Sequence, residues 1–284
     1  MYKFNQRWSA VLAILALISV AGHAQQASDT SHVSPWRHSL IAGLNLTQID
    51  FSHWTAGGTD ALAYIASLNG KSERDSIFTN WTTDYKLDFG QTKLDHHDIQ
   101  KTDDEINLQS VLTFKFGVHV NPYVSAALLT QFAPGYNYPD TGAPVQVSNF
   151  FDPAYLRQSA GVGYKLSEAF ETRLGVGLRE IITHHYTQYT GDPSKKVKVQ
   201  GGAESITDIQ FEVDKNVLFR TKLDFFEPFE ELDRPIMHAE ATLIAKVSKI
   251  FSAELGALFI SDPDVSPFMQ IKEGLSIGIA YVLL

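Results

Sequence analysis

The chain has 284 residues and no cysteine, with 23 basic against 32 acidic side chains and a formal net charge of −9. Without cysteine there is no disulfide, thiolate metal site, thiol nucleophile or lipid-modified cysteine. The acidic balance, with no basic run longer than Lys195-Lys196-Val-Lys198, argues against nucleic acid as a partner.

The N-terminus reads as a secretory signal over residues 1–24. Lys3 and Arg7 precede an apolar run from Trp8 to Val20, and Gly22 and Ala24 fit a cleavage site after Ala24. The run is about thirteen residues, too short to cross a bilayer and the right length for a signal. Residues 25–36 form a short lead-in. No later apolar run approaches the roughly twenty residues of a transmembrane helix.

From Arg37 to the C-terminus the hydrophobic pattern has a period of two, which sorts a strand into two faces. In residues 77–89, Ile77, Trp81, Tyr85, Leu87 and Phe89 oppose Asn80, Asp84, Lys86 and Asp88. In 170–178, Phe170, Thr172, Leu174, Val176 and Leu178 oppose Glu171, Arg173, Gly175 and Gly177. The pattern predicts twelve strands, at 38–50, 59–70, 76–90, 104–117, 122–133, 154–165, 169–183, 200–213, 217–226, 237–248, 251–260 and 271–283. Most are long enough to cross a membrane when tilted. The stretch QIDFSHWTAGG, 48–58, is expected to close the first strand and turn into the second. Gly57-Gly58 would supply the turn, and Phe51 and Trp54 an aromatic girdle. His53 shows no positioned partner for general-base work.

The links alternate. Val118 to Asn121, Leu166 to Glu168, Asp214 to Asn216 and Lys249-Ile250 are short. Gln91 to Asp103, Ala133 to Pro153, His184 to Val199, Glu227 to Ile236 and Ser261 to Gln270 are longer and polar. That rhythm predicts an all-β, closed antiparallel transmembrane barrel over 37–284, with short periplasmic turns and longer outer loops. The expected location is the outer membrane, with lipid around the wall. The apolar, aromatic-bearing final strand, Leu275 to Leu283, would address the barrel-assembly machinery.

Charged faces cannot meet hydrocarbon cheaply, so they are expected to line the lumen. Arg173, Arg179, Arg220, Lys222 and Lys246 would then meet Asp84, Asp88, Asp208, Glu212, Asp224, Glu240 and Glu254. Such charges can pair and brace the wall or give a water-filled passage an ion preference.

L-N-L-T-Q-I-D-F-S-H-W-T-A-G-G resembles the opening of an uncharacterised family of Gram-negative outer-membrane barrels, a domain of unknown function. The family's N-x-x-Q-x-x-F-x-x-W-x-x-G-G positions are Asn45, Gln48, Phe51, Trp54, Gly57 and Gly58 here. K-T-D-D-E-I-N-L at 101–108, T-Q-F-A-P-G-Y-N-Y-P at 130–139, F-F-D-P-A-Y-L at 150–156 and N-V-L-F-R-T-K-L-D-F-F at 216–226 resemble further blocks. The resemblance implies fold and location, and transfers no catalytic residue.

Other chemistry is sparse. Asp95-His96-His97-Asp98 is the best metal candidate, but adjacent histidines on a strand point apart and no ligand spacing is present. A solvated loop is expected there, as at His184-His185, and Ser261-Asp262-Pro263-Asp264 lacks a calcium-loop pattern. Tyr136, Tyr138, Phe150 and Phe151 frame the longest loop, expected to be ordered at the mouth as a gate or binding element. A membrane-embedded hydrolase would need His238 beside a nucleophile, and no G-x-S-x-G motif appears. The sequence thus predicts no cofactor and no catalytic site. It points to a narrow passage for small polar solutes or ions, with a non-conducting scaffold or loop-mediated binding barrel as the alternative.

Overall fold

The computed structural model describes residues 35–49, 61–94, 98–139, 141–167, 169–248 and 250–284. The predicted signal peptide, most of QIDFSHWTAGG and the pair His96-His97 lie outside them. Twelve strands close into one antiparallel barrel. In chain order they are β1 (Trp36–Ile49), β2 (Ala61–Asp75), β3 (Thr79–Leu94), β4 (Gln100–Phe114) and β5 (Val120–Thr130). After a small hairpin, β6 (Gly135–Asn137) with β7 (Val145–Ser148), come β8 (Ala154–Ser167), β9 (Phe170–Ile182) and β10 (Val197–Asp214). The last four are β11 (Val217–Pro228), β12 (Ile236–Lys246), β13 (Phe251–Ser261) and β14 (Gln270–Val282). Each barrel strand pairs with its neighbour in sequence, β5 pairs with β8, and β14 pairs with β1 to close the wall.

Three segments differ from the sequence reading. The link expected from Gln91 to Asp103 is mostly strand, since β3 runs to Leu94 and β4 starts at Gln100. β2 continues through Lys71-Ser-Glu-Arg-Asp75, where polarity alone suggests a loop. The alternation persists there because Lys71, Glu73 and Asp75 register with Asp84, Thr82 and Asn80 of β3 on one face. The long loop carries its own hairpin, whose strands of 3 and 4 residues are too short to show a period.

The wall is apolar outside. Leu108, Val124, Leu174, Val176, Leu223 and Leu255 are exposed although each sits mid-strand. Trp36 and Trp81 meet edge to face at 5.2 Å, and Phe211 and Phe219 lie 5.2 Å apart, all near the short-turn end. An apolar band with aromatic edges around a closed sheet is the transmembrane form of the barrel.

Candidate functional site

Opposed residues of an antiparallel pair share a face, so one inward set can be followed round the register. Arg179 opposes Arg157 and Gln200; Glu204 opposes Gly175 and Phe226; Asp224 opposes Ile206 and His238; Glu240 opposes Lys222 and Leu258. Lys86 belongs to the same set, because its Nζ lies 3.2 Å from Glu105, 3.5 Å from Asp88 and 3.6 Å from Glu240. β3 and β12 have four strands between them one way round and six the other. Lys86–Glu240 therefore spans the lumen and divides it.

The larger side is packed. Arg157 Nη1 donates to both oxygens of Asp224, at 2.5 and 2.7 Å. Tyr123 and Ser159 both donate to Glu204, at 2.9 and 2.5 Å, beside buried Ile206 and Phe226. Lys222 on β11 donates to Gln109 on β4 at 2.8 Å, a second crossing. The smaller side is walled by β13, β14, β1 and β2, with Gly256 and Gly274 on its inward face. A Cβ added at Gly256 or Gly274 would meet no described atom within 4 Å. These two glycines oppose one another across β13 and β14 and face open space.

The two ends differ as well. Towards the short turns, inward Lys71, Asp84, Glu212, Arg220, Lys246 and Glu254 are exposed, so water enters the lumen there. Towards the long loops, Arg179 is buried and ion-paired with buried Asp262 of the β13–β14 loop. It also donates to Gln200 at 2.7 Å and reaches Asp264 at 3.5 Å. Asp264 takes Lys198 at 2.7 Å and Arg234 at 3.5 Å. Three loops thereby close the mouth over this sector, around a cavity of about 330 Å³ lined by Lys195, Lys198, Glu231, Arg234 and Asp264. Above the smaller side, Lys272 crosses from β14 to Asp103 of β4 at 2.7 Å, with its side chain 54% exposed. That tie is solvated.

The long loop is pinned at the rim. Asp104 accepts from the backbone N–H of Phe132 at 2.7 Å and of Ala133 at 2.8 Å, and Lys101 donates to the Ala133 carbonyl at 2.8 Å. Asp104 and Lys101 register with Phe89 and Gln91, on the outward face of β3. At its other end buried Asp152 accepts from Thr183 at 2.5 Å and from the backbone N–H of His184 and His185 at 3.0 and 2.9 Å. Burial opposes the charge of Asp152, but these hydrogen bonds outweigh it and hold the carboxyl below its usual range. Tyr136, Tyr138, Phe150 and Phe151 are all exposed on a loop whose β4 anchors face outward. Asp262 and Asp264 supply ion pairs across the mouth.

Of the predicted lumen charges, the structure places Arg173 and Arg179 buried, Lys222 and Asp224 half-buried in the packed side, and Glu240 in the partition. Arg220 and Lys246 are exposed near the short turns. Arg173 stacks over Tyr123 at 5.6 Å and lies 3.9 Å from Asp208. Sequence reasoning did not name Arg157, Glu204, Lys86 or Tyr123 as lumen-bracing residues, and it weighed Asp262 and Asp264 only as a calcium loop. The first four sit on inward faces that parity identifies. The last two are loop residues 83 and 85 positions from Arg179, and no local pattern marks them. His238 lies inward opposite Asp224. Among the described residues no group of three or more potential metal ligands occurs.

No curated protein matches the chain. Among solved structures, the translocator domain of an autotransporter from Neisseria meningitidis is similar at 9% identity, covering 96% of this chain and 97% of its own, with a TM-score of 0.38. An outer-membrane channel from Pseudomonas putida F1 is similar at 11% identity, covering 91% and 98%, with a TM-score of 0.40. Residues 46–136, which hold the Gln48-to-Gly58 pattern and the 101–108 and 130–136 blocks, match the model of a family described as a protein of unknown function (DUF3078).

Proposed function

We propose that the protein lies in an outer membrane and carries small ions or polar solutes through a narrow, off-axis passage. The apolar, aromatic-edged wall supports the membrane placement. The observation that carries the passage is the open space at Gly256 and Gly274, beside a lumen otherwise crossed by side chains. A solute would enter the exposed vestibule, pass between the partition and the β13–β14 wall, and leave beside the solvated Lys272–Asp103 pair. The partition sets one cation, Lys86, against three carboxylates, Asp88, Glu105 and Glu240. Acid-rich linings favour cations, so a weak cation preference is expected.

Reversal potential in a planar bilayer under a salt gradient tests this. Wild-type protein should show a cation-side potential, and Arg220→Glu in the vestibule should move it further the same way. An anion-side potential, or none of this shift, would oppose the reading. A second reading, a non-conducting scaffold, draws on the buried Arg179–Asp262 closure of the mouth. Folded, inserted protein that passes no current would favour it.

A further inference from the structure

β1 and β14 close the barrel through a short seam. Their paired positions run only from Ile41↔Val282 to Asn45↔Gly278, with backbone bonds from Leu40 to Leu283 and Leu284 beside them. β1 meets β2 along its whole length, from Trp36↔Arg74 to Ile49↔Ala61. β14 meets β13 from Gln270 to Ile279. Continuing the β1–β14 register would set Leu46 opposite Ile277, Thr47 opposite Ser276, Gln48 opposite Leu275 and Ile49 opposite Gly274. Among the described residues none of these pairs is present. The half of the seam nearer the long loops thus carries no β1–β14 pairing among those residues.

An unpaired strand edge is not tolerated against hydrocarbon unless it is buried or borders water. Here it borders the open side of the lumen. Gly274 faces empty space, and inward Gln270 and Lys272 beside it are exposed. The outer lips are apolar. Leu275 and Ile277 are 75% and 68% exposed, against 55% and 53% for Leu174 and Leu255 on fully paired strands. Leu46 stands on the other lip, 50% exposed. The gap thus joins a wet, polar compartment to an apolar rim at membrane depth.

We propose that this seam is a lateral portal through which a single-chain amphiphile passes between the bilayer and the lumen. Its polar head enters beside Gly274 and Lys272, while its chain stays among Leu46, Leu275 and Ile277. The inference rests on the membrane placement above and not on conduction. A second chain pairing with the free edge is the competing occupant.

The absence of cysteine makes the test clean. In vesicles, Leu44→Cys/Ile279→Cys spans a paired position and should form a disulfide on mild oxidation. Thr47→Cys/Ser276→Cys should not. In parallel, a bimane label at Gly274→Cys, where there is room for it, is compared with one at exposed, inward Gln210→Cys across the barrel. Doxyl-stearic acid in phospholipid vesicles is the probe. The label at 274 should lose most of its emission and the label at 210 little, while aqueous iodide quenches both. Heat-modifiable mobility identifies folded protein throughout. Ready oxidation of the 47/276 pair, equal quenching at 274 and 210, or cross-linking between chains carrying Ser276→Cys alone would overturn the portal.

Discussion

Arg179 shows what one residue does at the mouth. It is buried and donates to Gln200 and Asp262, and its guanidinium lies over the Tyr155 ring at 5.7 Å. Removing one partner of a buried pair strands the other charge, at about 3–5 kcal/mol. Arg179→Ala and Asp262→Ala should each lower stability by about that much in urea unfolding, and the double variant by less than the sum. Arg179 is legible from strand parity alone, but Asp262 is not, because a contact 83 residues away leaves no mark on local sequence. Asp152 gives a pH dependence. Its carboxyl is held below its ordinary value of 3.8, so the stabilisation is complete above that value and fades as pH falls through the lower folded one. The β6–β7 loop should therefore resist proteolysis at neutral pH and at pH 5, and loosen only in stronger acid.

At the scale of elements, the period of two was legible because each strand has one face towards apolar surroundings and one towards charge. Strand ends were less legible, since a charged lumen lets Lys71, Glu73 and Asp75 extend β2 with residues that elsewhere mark a loop. Glycines of one wall also differ in ways the sequence cannot show. A Cβ at Gly161 would sit 2.1 Å from the Leu174 carbonyl oxygen, a backbone atom, whereas at Gly256 it meets no described atom. Gly161→Leu should abolish refolding, and Gly256→Leu should refold as well as wild type, read by heat-modifiable mobility. Equal behaviour of the two would contradict the assigned open space. The β6–β7 hairpin was invisible for a different reason: its strands, Gly135–Asn137 and Val145–Ser148, are too short to carry a pattern.

For the whole molecule, closure follows from strand number and register, and the division of the lumen from where long charged side chains happen to face one another. Alternation reveals which side chains point inward. It does not reveal that Lys86 on β3 meets Glu240 on β12, because that depends on how the barrel is closed. The choice between a filled and an open lumen was therefore beyond the sequence, and it turns on the strip between the partition and β13–β14. The most direct test is single-channel conductance of purified, refolded protein in a planar bilayer, wild type beside Gly256→Trp, with both shown to be folded and inserted. Small, discrete, repeatable steps are expected from wild type and their loss from Gly256→Trp. Silence from folded wild-type protein, or unchanged steps from Gly256→Trp, would contradict a passage along that wall.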